Sequence, residues 1–376
     1  MARGSIGSSS RVLAALTICV TAAVARHSHP AAPPPPPVPP PSLLPSTGRS
    51  RRCWNGDVAA LEKLIGSAIC DSGANWLEVM TQRMAASSRP LVYINIGANK
   101  GYNIAEITRM WGGMNISNAE WYEEMQHFMK ASGYSHHPNA KANHGYLCGA
   151  CELCKKEVPA LLSREVAVHA FEIEPRLVQW LRWACARFGV RAAIEHAMGG
   201  ETSGVGSMAY NPDVHFGWEA FSASEDNATR MWYHTHPVRA VALDDYLAQE
   251  NIAHAHLVSI DAERHDGHVL RGMRSALRTR AVELVDFEYT ETRNMAKPHP
   301  GETRIETTLA LMDEVGYGCF WLVRDQLVPL SDGCHVAWLH AWRQTRSLMQ
   351  GNIVCSHGVM LVELWTLAGE RALRVR

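Results

Sequence analysis

An α/β fold, a mostly parallel sheet with helices on both faces, is what this sequence predicts, and three observations carry that reading. Short apolar, β-branched runs recur at residues 91–96, 166–171, 257–260 and 282–287. Between them, apolar residues repeat every three to four positions, the spacing of a helix with one buried face. The first run is broken by Gly97, after which Ile104, Ile107 and Thr108 resume at helical spacing, giving a strand, a glycine loop and a helix. Strands that alternate with helices pair in parallel through crossovers, which lay the helices over both faces of the sheet.

The elements follow in chain order. Residues 1–25 hold Arg3 and Arg11, an apolar run from Val12 and a small-residue end at Ala23-Val24-Ala25, the pattern of a secretory signal peptide or short signal anchor. The stretch is also Ser- and Arg-rich and free of acids, so an organellar transit peptide fits it too. Residues 26–52 are Pro-dominated, with an unbroken run from Pro33 to Pro37, and form a semi-rigid spacer that builds no core. Residues 53–88 carry Leu61, Leu64, Ile65 and Ile69, then Trp76, Leu77 and Met80, so they read as a helical cap. The main domain runs over 89–376. Its polar, His-rich stretch at 111–164 exceeds any usual strand-to-strand connection and reads as an insertion or lid. Beyond it come a helix over 177–188, a strand at 192–195, a loose Gly/Ser stretch, a strand at 238–241 and a helix at 243–250. A single helix over 269–277 separates the strands at 257–260 and 282–287. A helix over 305–315 and a strand over 319–323 close the series.

Composition excludes some function classes. Lys+Arg is 36 against Asp+Glu 37, a formal net charge of -1, so no global field draws the chain to nucleic acid or anionic membrane. Membrane contact is expected only through an N-terminal anchor. Cys148, Cys151 and Cys154 are spaced C-x-x-C-x-x-C, with His144 nearby. Zinc would take about four ligands, and in a secretory lumen the default for such cysteines is disulfide pairing; no metal site is assigned. Asn115-Ile116-Ser117 and Asn227-Ala228-Thr229 are glycosylation acceptor triplets.

In sheets of this kind ligands sit outside the carboxyl ends of the strands, at the switch in strand order. The loop after the first strand is Gly97-Ala98-Asn99-Lys100-Gly101. Its glycines allow a sharp turn and a close backbone approach, and the helix start that follows suits an anion. Glu172, at the tip of the second strand, is placed to accept both hydroxyls of a ribose. Glu174 reads as a helix-start acid before Pro175. Asp261, Glu263 and His265 follow the strand at 257–260 and stand where reacting atoms should lie.

Together these segments resemble the FkbM family of methyltransferases. The resemblance rests on residues 94–101 (INIGANKG), 169–172 (HAFE), 243–247 (LDDYL), 260–263 (IDAE) with Leu270-Arg271-Gly272, and 286–289 (DFEY), all in the family's order. It implies a class I methyltransferase Rossmann-like fold, a seven-stranded sheet with one antiparallel edge strand. It also implies S-adenosylmethionine as donor and a hydroxyl acceptor on a glycan or other small molecule. Asn95, Gly97, Asn99, Gly101, Glu172 and Asp261 would bind the donor, and Asp261, Glu263 and His265 would serve the reacting side. Asn95 stands where the family has Asp, and Arg264 where it has Gly. Those departures motivate the rival reading of a catalytically degenerate binding protein. A nicotinamide oxidoreductase is disfavoured by the lack of a third glycine in the loop. Independently of the resemblance, the N-terminal pattern implies the secretory pathway, Golgi lumen or secreted, with an organelle reached by a transit peptide as the alternative.

Overall fold

Tyr93, Ile94 and Ile96 lie on opposite faces of one strand, yet all are buried, as a central parallel strand covered on both sides requires. They belong to a computed structural model that describes residues 74–85, 89–134, 158–210, 221–222, 234–263, 265–291, 304–323, 326–331, 334, 339 and 349–372. The chain divides into residues 1–49 and 50–376, and every described residue belongs to the second unit. The expected leader, the Pro-rich spacer, Cys148, Cys151, Cys154, His144, Asn227 and Arg264 lie outside the described residues.

The elements run α1 (Ala74–Met84), β1 (Leu91–Ile96), α2 (Tyr102–Gly112), α3 (Asn118–Ser132), β2 (Val166–Glu172), α4 (Pro175–Phe188), β3 (Ala192–His196), β4 (Met198–Gly200) and β5 (Gly204–Tyr210). They continue as β6 (Phe221–Ser222), β7 (His234–Ala242), α5 (Leu243–Gln249), β8 (Ala255–Ile260), α6 (Asp266–Arg271), α7 (Arg274–Arg278) and β9 (Val282–Glu291). Last come α8 (Ile305–Glu314), β10 (Gly318–Val323), β11 (Gln326–Pro329), β12 (Met349–Ser356) and α9 (Gly358–Ala372).

The main sheet has the order β11-β10-β12-β9-β8-β1-β2-β3. Strands β3, β2, β1, β8 and β9 are parallel neighbours. It holds eight strands, where the resemblance implies seven. Strand β12 runs antiparallel between β9 and β10, inside the sheet, because the C-terminal segment returns to fill that slot. The hairpin to β11 then adds a further antiparallel strand at the edge. A buried disulfide, Cys319–Cys355, joins directly paired residues of β10 and β12. Cys334 is also disulfide-bonded, and Cys185 is a buried free thiol.

Two apolar cores flank the sheet. One gathers α1, α2, α3, α4 and α9, and the other α5, α6, α7 and α8. Each fully buried large side chain contributes roughly 1.5–3 kcal/mol. Helix α1 meets the sheet side through Trp76, Leu77, Met80 and Met84. Its Thr81 hydroxyl accepts the indole N–H of the fully buried Trp111 at 2.9 Å while donating to the Leu77 carbonyl.

Several expectations change in detail. The 111–164 stretch contains α3, started by a capping box in which Ser117 and Glu120 satisfy each other's backbone N–H groups. Helix α3 buries Trp121, Met125, Phe128 and Met129, a stripe at helical spacing. The single helix expected over 269–277 is two short ones, α6 and α7, parted at Gly272, where an added Cβ would lie 1.9 Å from the Gly200 carbonyl oxygen. The loose Gly/Ser stretch forms β4 and β5 of a second sheet, ordered β4-β7-β5-β6.

Candidate functional site

The order of the main sheet reverses between β1 and β8, and a pocket of about 640 Å³, counted to its open mouth, lies at the carboxyl ends of β1, β2 and β8. That is the switch-point position for a ligand in an open α/β sheet. Its wall brings together Gly97, Asn99, Glu172, Asp261, Glu263 and His265.

The loop after β1 is held on three sides. Its Gly97 and Ala98 N–H groups both donate to the Phe171 carbonyl at the end of β2. Gly97 has φ 77, and a Cβ there would sit 1.8 Å from the Asp261 carbonyl oxygen, so only glycine lets the β1 and β8 loops touch. From above, the indole N–H groups of Trp121 on α3 and Trp180 on α4 both donate to the Lys100 carbonyl, at 2.8 and 2.9 Å. The two rings meet edge to face, with centroids 5.6 Å apart. The insertion therefore supplies part of the frame of this loop.

Asn95 and Gly101 stand apart from the pocket wall. Asn95 is buried beneath the loop, and neither of its amide atoms has a hydrogen-bond partner. Gly101 is required by packing: it has φ 78, and a Cβ would press on Leu181 and Trp121. The wall also contains Met198 and Gly199, which the sequence reading passed over. They arrive with β4, and the only cue was a pair of glycines after a strand.

Glu172 has a prepared carboxylate. One oxygen accepts the Asn99 N–H at 2.7 Å and the other the Glu174 N–H at 2.8 Å. The Ile173 N–H also faces the carboxylate, which keeps acceptor capacity for a further donor. Burial pushes its pKa up, opposed by these backbone donors. Glu174 is fully buried and paired with Arg176, and burial raises its pKa to about 7.

Asp261 ends β8. Its N–H donates to the Ile96 carbonyl at 2.8 Å, and its Oδ1 is enclosed without a hydrogen-bond partner. Its carboxyl is in hydrogen-bond contact with that of Glu288 on β9, and it lies well above the usual carboxylate range through burial and the charges of Glu288, Glu263 and Asp266. Glu263 takes a left-handed conformation, φ 51, unusual for a residue with a side chain. His265 precedes α6 and stacks on His268 at 4.3 Å; burial, His268 and Arg271 lower its pKa to about 4, so it is neutral at neutral pH.

A second cluster of ligand-type side chains, His254, His256 and Glu283, gathers at the opposite ends of β8 and β9. The Val92 N–H donates to His256 Nδ1 at 3.1 Å, and burial lowers the His256 pKa to about 4. The neutral ring therefore carries its proton on Nε2, leaving no lone pair for a metal ion. His254 bonds to Glu283 at 3.4 Å and meets the His256 ring edge to face, so the three side chains read as a packed structural cluster.

The sequence profile described as the methyltransferase FkbM domain matches residues 95–318, more than half of the chain. The chain belongs to the FkbM methyltransferase family. The fold is accordingly that of the class I methyltransferases, extended by β11 and the small second sheet. No curated protein matches the sequence. Among solved structures, the METTL16 methyltransferase domain is similar at 7% identity and TM-score 0.29, over 76% of this chain and 66% of that one. A methyltransferase FkbM from Methylobacillus flagellatus KT is similar at 12% identity and TM-score 0.27, over 61% and 48%. A precorrin-6y C5,15-methyltransferase from Geobacter metallireducens GS-15 is similar at 8% identity and TM-score 0.29, over 75% and 88%. The chain thus spans about two thirds of the first of these and about half of the second. At such TM-scores the likeness adds nothing to the family assignment.

Proposed function

We propose that this FkbM-family chain transfers a methyl group from S-adenosylmethionine to a hydroxyl of a glycan or other small hydroxylated acceptor in the secretory pathway. The observation that carries the donor reading is one pocket with the backbone-held carboxylate of Glu172 on one side and Asp261 and Glu263 on the other. The residues fit such a donor. Glu172 is a carboxylate on the pocket wall with acceptor capacity for a ribose hydroxyl, the start of α2 suits a carboxylate, and the Asp261 side suits a cationic sulfur.

When bound, the donor supplies a methyl group on an already activated sulfonium, so the chain's task is alignment and handling of one proton. The loop from Gly97 to Gly101 and Glu172 hold and orient the donor. Asp261 accepts the proton of the acceptor hydroxyl, and Glu263 and His265 line the reacting side. His265, being neutral, is a second base within the same wall. Secretory placement is supported by the N-terminal pattern, by the Cys319–Cys355 disulfide and by the exposed Asn115 of an acceptor triplet.

The test is methyl transfer from labelled donor to a panel of glycans and small hydroxylated acceptors. Asp261→Asn should abolish turnover with donor affinity largely kept; retained turnover removes Asp261 as the base. Calorimetric titration with S-adenosylmethionine, its demethylated product and NAD separates this reading from an oxidoreductase. The rival of a degenerate binding protein rests on Asn95 and Arg264. Asn95 lies outside the pocket wall, which weakens that rival, and saturable donor binding without transfer to any acceptor would favour it.

A further inference from the structure

We propose that the Asp261–Glu288 pair makes donor binding a proton-releasing step, so that the site distinguishes the cationic methyl donor from its neutral demethylated product. The proposal rests on the donor reading above and deepens it. Strands β8 and β9 are parallel neighbours with Ile260 opposite Phe287, so Asp261 and Glu288 are the next residues on both and lie on one side of the sheet. Their carboxyls touch, and Asp261 Oδ1 is enclosed with no donor facing it. Two carboxyls in such contact hold one proton between them, because both cannot ionise at that separation without a large penalty.

Among the described residues, the other charges that bear on Asp261 act in the same direction. Glu263 and Asp266 face it from the loop and from the start of α6, and both disfavour a second negative charge. Asp266 also accepts the Ala262 N–H, which fixes it near the loop. Strand β1 and the loop after it approach Asp261 through backbone at Ile96 and Gly97. His265 is neutral and adds no charge. A cation brought against Asp261 supplies the missing compensation, and the shared proton leaves to solvent.

The charge balance closes over one turnover. The pair loses its proton to solvent when the sulfonium arrives. The acceptor oxygen then bonds to the methyl carbon, the carbon–sulfur electron pair passes to sulfur, and the hydroxyl proton returns to the pair. The product thioether is neutral, so the pair keeps that proton as the product leaves. The one net proton of methyl transfer is thus released on donor binding, and binding prepares the base. Glu288 is a positioning residue acting through Asp261, and its place opposite Asp261 emerges only from the strand register.

Calorimetric titration of the full chain in phosphate and in Tris, from pH 6 to 9, counts the protons. S-adenosylmethionine should release close to one proton and S-adenosylhomocysteine none. Donor affinity should rise relative to product affinity as the pH rises, by up to about tenfold per pH unit where one proton is released. Glu288→Gln should lower the number of protons released and make that ratio shallower, with circular dichroism and product affinity reporting the fold. Asp261→Asn, as a second variant, should lower the release as well. Equal proton counts for the two ligands, or unchanged release in Glu288→Gln, overturns this proposal and leaves the donor reading standing. Binding of neither ligand overturns both.

Discussion

The two indoles above the pocket loop make the most demanding prediction. Trp121 and Trp180 both donate to the Lys100 carbonyl, within a residue that is 2% exposed. Changing either to Phe keeps an aromatic ring and removes one N–H. A single net hydrogen bond is worth about 0.5–1.5 kcal/mol, and the carbonyl keeps its other donor. The double variant leaves a buried carbonyl with neither indole donor, which costs about 1–3 kcal/mol of desolvation that neither single variant incurs. The double change should therefore destabilise by at least about 1 kcal/mol more than the sum of the singles, beyond the ~0.3–0.5 kcal/mol within which independent sites add. Denaturant unfolding of the four proteins measures the cycle, and donor titration should show the same excess. Additive losses, or an unchanged loop with both indoles removed, would refute the idea that these bonds frame the site.

Further outcomes follow from other parts of the structure. Gly97→Ala places a Cβ in a left-handed conformation, costing about 1–2 kcal/mol, and drives it into the Asp261 carbonyl. Donor affinity should fall at least about tenfold, and wild-type affinity in a titration would contradict the close approach. Cys319 and Cys355 close a loop of sequence separation 36, so replacing both by Ala should remove about 3–4 kcal/mol of stability. A thermal melt should shift down by roughly 5–15 °C, and an unmoved melt would sink this estimate. The folded-state pKa of His256 is lowered from 6.5 to about 4, so the unfolded chain takes up the proton first as the pH falls. Stability from this group is complete above pH 6.5 and is lost as the pH drops toward 4. Unfolding free energies across that window should decline less steeply in His256→Asn; identical slopes would rule out this histidine as a source.

The parts of the fold that could be read from the sequence are those where burial writes itself into composition. Strands β1, β2, β8 and β9 are covered on both faces, so they are predominantly apolar and show no strict alternation. Strands β4 and β5 escape notice because Gly199, Gly200, Gly204 and Gly206 leave no alternating pattern. Helix α3 was hidden in a polar stretch, although Ser117 and Glu120 already stood at capping-box spacing. Strand β12 and helix α9 follow a long stretch without a clear period, and antiparallel insertion of a C-terminal strand is a matter of topology rather than local pattern. In the candidate site, Gly97, Asn99, Glu172, Asp261, Glu263 and His265 could be found because strand ends are local features. The absence of Asn95 from the wall could not, since a buried strand residue and a pocket residue look alike in one dimension. Glu288 was visible as part of a motif, but its contact with Asp261 is set by register between strands.

The frame over the Lys100 carbonyl also has a temporal meaning. Trp180 lies 80 residues after Lys100 in the chain. At a synthesis rate of about 5–20 residues per second, the loop waits roughly 4–16 s on the ribosome before its second indole is made. For most of that interval only the Trp121 indole is available to cap the glycine loop. Only when α4 has emerged and docked does it become a rigid floor for a ligand.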